Sequence, residues 1–202
     1  MFRDTSSAEE LRIRKDALRS ACLARRDALE ESVRRRASET VCELLLGWLA
    51  RHPLAVLSAF WPIRSEIDLR PLMRQALARG HGLALPRIDG GRLTFRAFDG
   101  DERSLVDGGF GTRVPAPEAE IRDPEIVLVP LAAFDRTGGR IGYGKGYYDG
   151  ALADLATRLR FTSVAVAFET QRVERVPMEA HDWRLDWLAT ETGIREADRP
   201  PE

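Results

Sequence analysis

Apolar positions in the first fifty residues recur at the spacing of α-helices. An apolar stripe predicts a helix over residues 8–29, and a second helix is predicted over 31–51, where His52-Pro53 ends it. The stripe of the first helix is formed by Leu11, Leu18, Cys22 and Leu29. At about 100° per residue, three basic residues follow one border of that stripe: Lys15, Arg19 and Arg26.

Short apolar runs alternate with helical segments along the rest of the chain. Two further helices are predicted over 68–79 and 147–159. Residues 92–98 alternate between apolar and polar positions, which is typical of a half-exposed strand. The remaining strands are predicted at 54–61, 83–86, 125–130, 161–168 and 187–192.

This alternation predicts a single-domain α/β fold with a mostly parallel sheet and helices on both faces. The stretch 92–106 is expected to add an antiparallel hairpin, and 107–118 to form a loop rich in glycine and proline. The one domain spans residues 1–202, and we expect flexible ends at 1–7 and 196–202.

Composition narrows the class of protein. The 202 residues carry a formal net charge of −1, with 44% hydrophobic and 31% charged residues, which is typical of a globular protein without a nucleic-acid partner. No apolar run approaches the roughly 18 residues of a membrane span, and the amino terminus is not a secretory signal. The two cysteines, Cys22 and Cys42, are expected to be buried thiols. We therefore expect a cytoplasmic monomer without a membrane partner.

The densest chemical signal is the segment 138–149, which lies between a predicted strand and a predicted helix. Its glycines at 142, 144 and 146 allow a backbone to approach a ligand closely, and the following helix start favours anions. Arg140 and Lys145 are expected to supply mobile positive charge. Asp149 is a hard oxygen ligand suited to Mg²⁺. These parts predict a polyphosphate site.

The order of residues in this segment matches neither common nucleotide fingerprint. It is not G-x-x-x-x-G-K-[ST], and its glycines follow G-x-G-x-G rather than G-x-G-x-x-G. A bare series of this kind is also typical of a flexible turn, but the flanking charges, paired tyrosines and aspartate favour a binding site.

The pattern G-x-R-[IL]-G-x-G-[KG]-G-Y-Y-D in this segment resembles the signature of the 5-formyltetrahydrofolate cyclo-ligase family, also called methenyltetrahydrofolate synthetases. Further matches in the same order cover roughly residues 15–190. They are Lys15-x-x-Leu18-Arg19, Glu66-Ile67-Asp68, Leu85-Pro86-Arg87, Val129-Pro130, Gln171-x-Val173 and His181-Asp182.

The resemblance implies an ATP site with Mg²⁺ held by Asp149 and Asp182. Its ATP-binding residues would be Lys15, Arg19, Arg140, Ile141, Gly142, Tyr143, Gly144, Lys145, Gly146, Tyr147 and Tyr148. Lys15, Arg140 and Lys145 would act in catalysis by stabilising phosphoryl charge. Lys15 and Arg19 are i, i+4 neighbours, so both cations can reach one phosphate chain, although such a pair is often only a solvated helix edge.

The resemblance also implies that Trp61, Glu66 and Tyr147 bind the folate. Trp61 ends a predicted buried strand, where open α/β sheets place ligands, and a carboxylate at 66 can accept hydrogen bonds from a reduced pterin. The alternatives are core packing for Trp61 and a helix-initiating acid for Glu66. The three histidines show no metal-ligand spacing and are interpreted as structural or solvent-facing.

The implied activity is ATP-dependent closure of 5-formyltetrahydrofolate to 5,10-methenyltetrahydrofolate, through a phosphorylated formyl group, with release of ADP and phosphate. Pro115-Ala116-Pro117 departs from the family, which often has Glu or Gln at the middle position. A divergent family member with another substrate therefore remains an alternative. A nucleotide-binding module without turnover is a second one.

Overall fold

A computed structural model of the chain describes residues 4–109 and 111–198. Its helices are α1 (Asp4–Asp27), α2 (Glu31–Leu49), α3 (Arg70–Ala78) and α4 (Tyr147–Ala156). Its strands are β1 (Val56–Ser58), β2 (Gly82–Asp89), β3 (Arg92–Ala97), β4 (Leu105–Asp107), β5 (Arg113–Pro115), β6 (Ile126–Pro130), β7 (Ala133–Phe134), β8 (Arg140–Ile141), β9 (Thr162–Val166), β10 (Trp187–Thr190) and β11 (Gly193–Glu196).

Seven strands form the central sheet in the order β11-β10-β9-β6-β1-β2-β3. The five inner strands pair in parallel, while β11 and β3 run antiparallel at the two edges. The predicted mostly parallel sheet is confirmed. The antiparallel hairpin is confirmed for β3, but its partner is β2, which precedes the expected stretch.

Helices cover both faces of the sheet, as the alternation of side chains along β6 shows. Ile126 and Leu128 belong to the core cluster that also contains buried residues of α2 and α3. Val127 and Val129 belong to the cluster that contains Leu152 of α4. Because successive side chains of a strand point to opposite faces, one apolar strand fills both cores.

A third, smaller core holds α1 against the short β7–β8 hairpin. Cys22 of the predicted apolar stripe is buried there with Ala133, Ile141 and Val176. The fold thus places the basic border of α1 beside the segment that follows β8. This contact positions the candidate site.

The structure differs from the sequence prediction in several short elements. The expected loop at 107–118 contains β5, which pairs with β4 in a three-residue antiparallel ribbon. β11 and the β7–β8 hairpin were also not predicted, because strands of two to four residues show too little periodicity. The expected flexibility of the two ends stays a prediction. Residues 4–7 lie in α1, Glu196 ends β11, and the amides of Ala197 and Asp198 donate to backbone carbonyls. Residues 1–3 and 199–202 lie outside the described residues.

Two further expectations concern the environment of the chain. Both cysteines are buried, free thiols, as predicted. Among the residues that the structure describes, no helix is long and apolar enough to cross a membrane.

Candidate active site

The glycine-rich loop, residues 142–146, connects β8 to α4 and lies beside α1. Gly144 and Gly146 have φ angles of 91° and 65°, in the left-handed region that favours glycine. A Cβ at Gly144 would lie 3.4 Å from the guanidinium of Arg19, so the loop backbone passes close to a cation of α1. Arg19 Nε also donates to the carbonyl of Gly142 at 2.8 Å.

A buried carboxylate shapes the hairpin from which this loop emerges. Asp135 accepts hydrogen bonds from the backbone amides of Thr137 at 2.8 Å, Gly139 at 3.1 Å and Val176 at 2.7 Å. The last of these bonds ties the turn to the segment that leads towards residues 179–183. The hairpin is therefore a rigid base for the loop.

Lys15 of α1 lies within hydrogen-bonding distance of two carboxylates of that segment. Its Nζ donates to Glu179 at 2.7 Å and to Asp182 at 2.5 Å. Burial acts to lower the pKa of Lys15, but the hydrogen bonds to Asp182 and Glu179 outweigh it and raise the pKa above its usual value. Lys15 is therefore a cation at the working pH, next to the glycine-rich loop that Arg19 contacts.

Arg140 is fixed in place, and the expectation that it supplies mobile charge is wrong. The side chain is 4% exposed. It donates to the carbonyl of Trp183 at 2.6 Å and to Asp149 Oδ1 at 2.9 Å. Burial lowers the pKa of Arg140, and the neighbouring Asp149 acts in the opposite direction. Arg140 thus joins α4 to the segment that carries Asp182, and its expected contact with phosphate stays a prediction.

The two aspartates expected to hold Mg²⁺ lie at the same end of the site. Asp149 Oδ1 accepts from the backbone amide of Trp183, the residue after Asp182, at 3.0 Å. Among the described residues, both hydrogen bonds to the Asp149 carboxylate end on Oδ1. The ligand atoms of Glu179, His181 and Asp182 lie within 4.8 Å of one another.

Glu179 was not predicted as a site residue, and His181 was interpreted as structural or solvent-facing. His181 is exposed, but its ring nitrogen lies 3.7 Å from a carboxylate oxygen of Asp182. Glu179, His181 and Asp182 together are called the acidic end of the site. The signal that could have identified both residues is their spacing from Asp182 along one turn, E-A-H-D.

The remaining loop residues differ in their exposure. Lys145 is exposed, and within the described part of the chain it makes no ion pair. Ile141 is buried in the small core beside α1, so only its backbone can contact a ligand. Tyr147 is half-buried at the start of α4. The hydroxyl of Tyr148 is buried and, in the described residues, has no hydrogen-bond partner, which marks an unmet donor beneath the loop.

Trp61 follows β1 at the carboxyl edge of the sheet. It packs edge-on against Phe98 with ring centroids 6.5 Å apart, and the guanidinium of Arg70 lies 5.8 Å from its ring centre. It also packs against the main core while remaining half-buried. Core packing and a ligand-facing surface are therefore compatible at this residue.

Glu66 lies opposite the glycine-rich loop, and a tyrosine of that loop contacts it. Its Oε2 accepts from the backbone amide of Ile63 at 2.9 Å, and its Oε1 accepts from the hydroxyl of Tyr143. Arg26 of α1 donates to the same hydroxyl at 2.8 Å. Burial raises the pKa of Glu66, and the hydrogen bond from Tyr143 opposes that rise.

Two matched motifs have residues that serve the backbone. Arg87 donates to the carbonyl of Pro115 at 2.9 Å and so holds the loop that contains Ala116. Gln171 is buried and donates to the carbonyls of Leu131 and Ala132 at 2.8 and 3.1 Å. These two side chains therefore hold segments of the backbone in place.

The chain is similar to proteins of one family over most of its length. A family model for the 5-formyltetrahydrofolate cyclo-ligase family matches residues 12–191. A 5-formyltetrahydrofolate cyclo-ligase of Mycolicibacterium smegmatis is 33% identical over 186 residues, covering 87% of this chain and 93% of that protein. The one of Escherichia coli K12 is 27% identical over 154 residues, covering 72% and 81%. The NMR structure of Aquifex aeolicus 5,10-methenyltetrahydrofolate synthetase has a TM-score of 0.73 at 33% identity, covering 93% and 95%.

Proposed function

Because the chain belongs to the 5-formyltetrahydrofolate cyclo-ligase family, we propose that it is an enzyme that converts 5-formyltetrahydrofolate to 5,10-methenyltetrahydrofolate with ATP as co-substrate. The observation that carries the proposal is the meeting of two distant motifs. Arg19 of the K-x-x-L-R motif bonds to Gly142 of the glycine-rich signature. Lys15 lies one helical turn away, beside the acidic end of the same site.

The nucleotide is proposed to lie between α1 and the glycine-rich loop. Lys15 and Arg19 present cations from one side, and Lys145 does so from the loop. The unshielded backbone of Gly142, Gly144 and the helix start at Tyr147 favour an anion there. The unmet donor of Tyr148 beneath the loop supports a polar ligand at this place.

The residues present fit a magnesium ion, which we propose Asp149 and Asp182 hold. Carboxylate oxygens are the ligands that Mg²⁺ prefers, and it is usually bound by one or two carboxylates together with phosphates. Both hydrogen bonds to Asp149 end on one oxygen, which leaves the other for a cation. When bound, the ion would neutralise charge on the transferred phosphoryl group.

The reaction needs an activated formyl group, because an N5-formyl group is an amide and a poor electrophile. The formyl oxygen attacks the γ-phosphorus of ATP and ADP leaves. N10 then attacks the formyl carbon and loses its proton, and the formyl oxygen departs with inorganic phosphate to leave the methenyl bridge. Lys15 and Lys145 stabilise the negative charge of the transferring phosphoryl group, and Arg140 holds Asp149 and the Trp183 segment in place.

On the folate side, Trp61 and Glu66 are proposed to bind the pterin, and Tyr147 is proposed as a further folate-binding residue; these three residues are called the folate pocket. Each carboxylate oxygen of Glu66 accepts one hydrogen bond from the protein. A carboxylate has about four acceptor positions, so it can still accept from pterin N–H donors.

The test is the absorbance of the methenyl product when purified protein, ATP, Mg²⁺ and 5-formyltetrahydrofolate are mixed. We expect product together with one ADP and one phosphate per turnover. If the folded protein forms no methenyl product but consumes ATP with another substrate, it is a divergent family member. The observation that favours this alternative is Ala116, where the family often has Glu or Gln. Nucleotide binding without turnover would favour a binding module.

We also propose that the enzyme is a cytoplasmic monomer. Two buried free thiols support a reducing compartment. The exposed large apolar residues of the described chain lie on separate elements, among them Ile13 on α1, Val33 on α2 and Ile88 on β2. Light scattering during gel filtration would show one chain per particle, and a stable dimer would contradict this.

A further inference from the structure

Arg26 is a buried arginine near the end of α1 that contacts both the glycine-rich loop and the turn before Glu66. Only 1% of its surface is exposed. Its Nε donates to the Ser65 hydroxyl at 2.9 Å, and its Nη1 donates to the Tyr143 hydroxyl at 2.8 Å. A buried guanidinium is costly unless its donors are satisfied, so these bonds fix the side chain in one position.

Tyr143 connects Arg26 to Glu66. Its hydroxyl accepts from the guanidinium and donates to the Glu66 carboxylate, while 37% of the residue remains exposed at the surface. Tyr143 lies between two glycines of the loop proposed to bind ATP. In the pattern quoted above, this position is not specified.

Glu66 is presented by a turn that α1 holds at two points. Arg64 in this turn has a φ of 53°, a strained conformation for a residue with a side chain. Ser65, the next residue, accepts from Arg26 and donates to Asp27. The end of α1 therefore stabilises the turn that carries Glu66.

The order of donors along this bridge matters for the carboxylate. A guanidinium that donates to a phenol oxygen polarises the O–H bond and strengthens its donation to the next acceptor. The two hydrogen bonds therefore run from the positive charge of Arg26, through the Tyr143 hydroxyl, to the negative charge of Glu66. Such an arrangement opposes the effect of burial on the carboxylate and holds it in one orientation.

We propose that Arg26 is a positioning residue which acts through Tyr143 to hold Glu66 in the orientation that binds the folate. The same bridge couples the glycine-rich loop to the folate pocket. This inference rests on the proposed function, because its effect is defined by the folate reaction. The alternative is that Arg26 only anchors the turn at Ser65 and contributes to stability alone.

A double-mutant cycle separates these two roles. Arg26→Met, Tyr143→Phe and the double variant are compared with the wild-type protein for kcat, for the folate KM and for the ATP KM. Losing a hydrogen bond to a charged group should weaken the folate binding that depends on it. We therefore expect about a tenfold rise in the folate KM for each single variant. The ATP KM is measured in the same variants, and we expect the change in the folate KM to be the larger of the two. The double variant should be no worse than the worse single variant, because both changes break one bridge.

The control is Arg25→Met, which makes the same chemical change at the adjacent position. Arg25 is exposed and contacts Cys22 and the carbonyl of Arg172, away from Tyr143. We expect its kinetic constants to match those of the wild-type protein. If Arg26→Met does not fold, the cycle is made with Arg26→Lys, which keeps the charge but cannot make both directed bonds.

Three outcomes would overturn the inference in an active enzyme. These are an unchanged folate KM in Tyr143→Phe, single effects on the folate KM that multiply in the double variant, or a loss of melting temperature in the Arg26 variant with wild-type kinetic constants. An inactive wild-type protein would instead contradict the proposed function, so the two failures are distinguishable.

Discussion

At the scale of single residues, Gln171 shows that a motif residue can serve the fold. Its amide nitrogen donates to two carbonyls just after β6, and its oxygen accepts from the amide of Phe168 at 3.0 Å. This side chain is 2% exposed, so water cannot replace those bonds. It therefore holds the chain that leads from β6 into the β7–β8 hairpin.

Gln171→Leu is expected to lower the free energy of unfolding by about 2–4 kcal/mol, because it leaves buried backbone groups without partners. Chemical denaturation measures this change. Gln75→Leu is the matched control, since Gln75 is the only other glutamine and is exposed on α3. An equal effect of the two substitutions would show that the buried bonds of Gln171 contribute little.

Glu66 is the residue whose ionisation the folate reaction is expected to report. Burial raises its pKa above the usual 4.5, while Tyr143, Ile63, Arg26 and Arg64 act in the opposite direction. The folded protein therefore binds the proton of Glu66 more tightly than the unfolded chain does. This contribution to stability is complete below the unfolded pKa of about 4.5 and is lost as the pH rises through the raised pKa of the folded state. We expect the proposed folate binding to have the opposite dependence, because the ionised carboxylate is the form proposed to accept hydrogen bonds from the pterin.

We therefore expect kcat/KM for the folate substrate to fall as the pH decreases through the raised pKa of Glu66. Glu66→Gln should have a higher folate KM and should lack this limb, because its side chain does not titrate. The pH profile of the ATP KM serves as the internal control, since both proteins share the titration of ATP. An identical limb in wild-type and Glu66→Gln protein would assign it to another group.

At the scale of elements, the β7–β8 hairpin supports the glycine-rich loop and the segment that carries Asp182. Gly138 in its turn has a φ of 78°, and a Cβ there would lie 2.1 Å from the backbone oxygen of Leu185. The amide of Leu185 in turn donates to the carbonyl of Gly138 at 2.9 Å. This close backbone contact requires glycine and fixes the distance between the hairpin and the segment that carries Asp182.

Gly138→Ala should separate those two backbones, with a loss of about 2 kcal/mol or more in stability and reduced turnover. Gly47→Ala is the contrast, because Gly47 is exposed in the interior of α2 with nothing within 4 Å of a new Cβ. It should raise the free energy of unfolding by about 0.5–1 kcal/mol and leave activity unchanged. Denaturation curves and initial rates test both; a neutral Gly138→Ala would contradict the proposed constraint.

At the scale of the whole molecule, the candidate site joins segments that are distant in sequence. Lys15 and Asp182 are 167 positions apart, and Arg19 and Gly142 are 123 apart. A ligand that binds all of them stabilises the folded chain over the unfolded one, by about 2.7 kcal/mol at a hundred times its Kd.

ATP with Mg²⁺ is therefore expected to raise the melting temperature, and the magnesium-dependent part of that rise should shrink in Asp182→Asn. Turnover should fall at least about tenfold, which corresponds to roughly 1.4 kcal/mol of transition-state stabilisation. Asp154→Asn, on α4 at a surface ion pair with Arg158, is the control. A full magnesium effect in Asp182→Asn would remove this residue from the metal site.

Local sequence patterns determined the larger parts of this protein. Apolar residues at helical spacing predicted the long helices, because burial of one helix face imposes that spacing. Short apolar runs predicted the inner strands, because a strand that is buried on both faces is apolar throughout. The glycine series and its charges marked the loop after β8, since close approach to a ligand requires those residue types. The family resemblance then assigned expected roles to them.

Only the tertiary structure decided which side chains meet. Arg140 was expected to supply mobile charge, but the fold buries it against Asp149 and the carbonyl of Trp183. The bond between Arg26 and Tyr143 spans 117 positions, and no local period encodes a contact of that kind. Short ribbons such as β4–β5 were likewise not predicted from the sequence, because their pairing depends on tertiary packing and not on their own three residues.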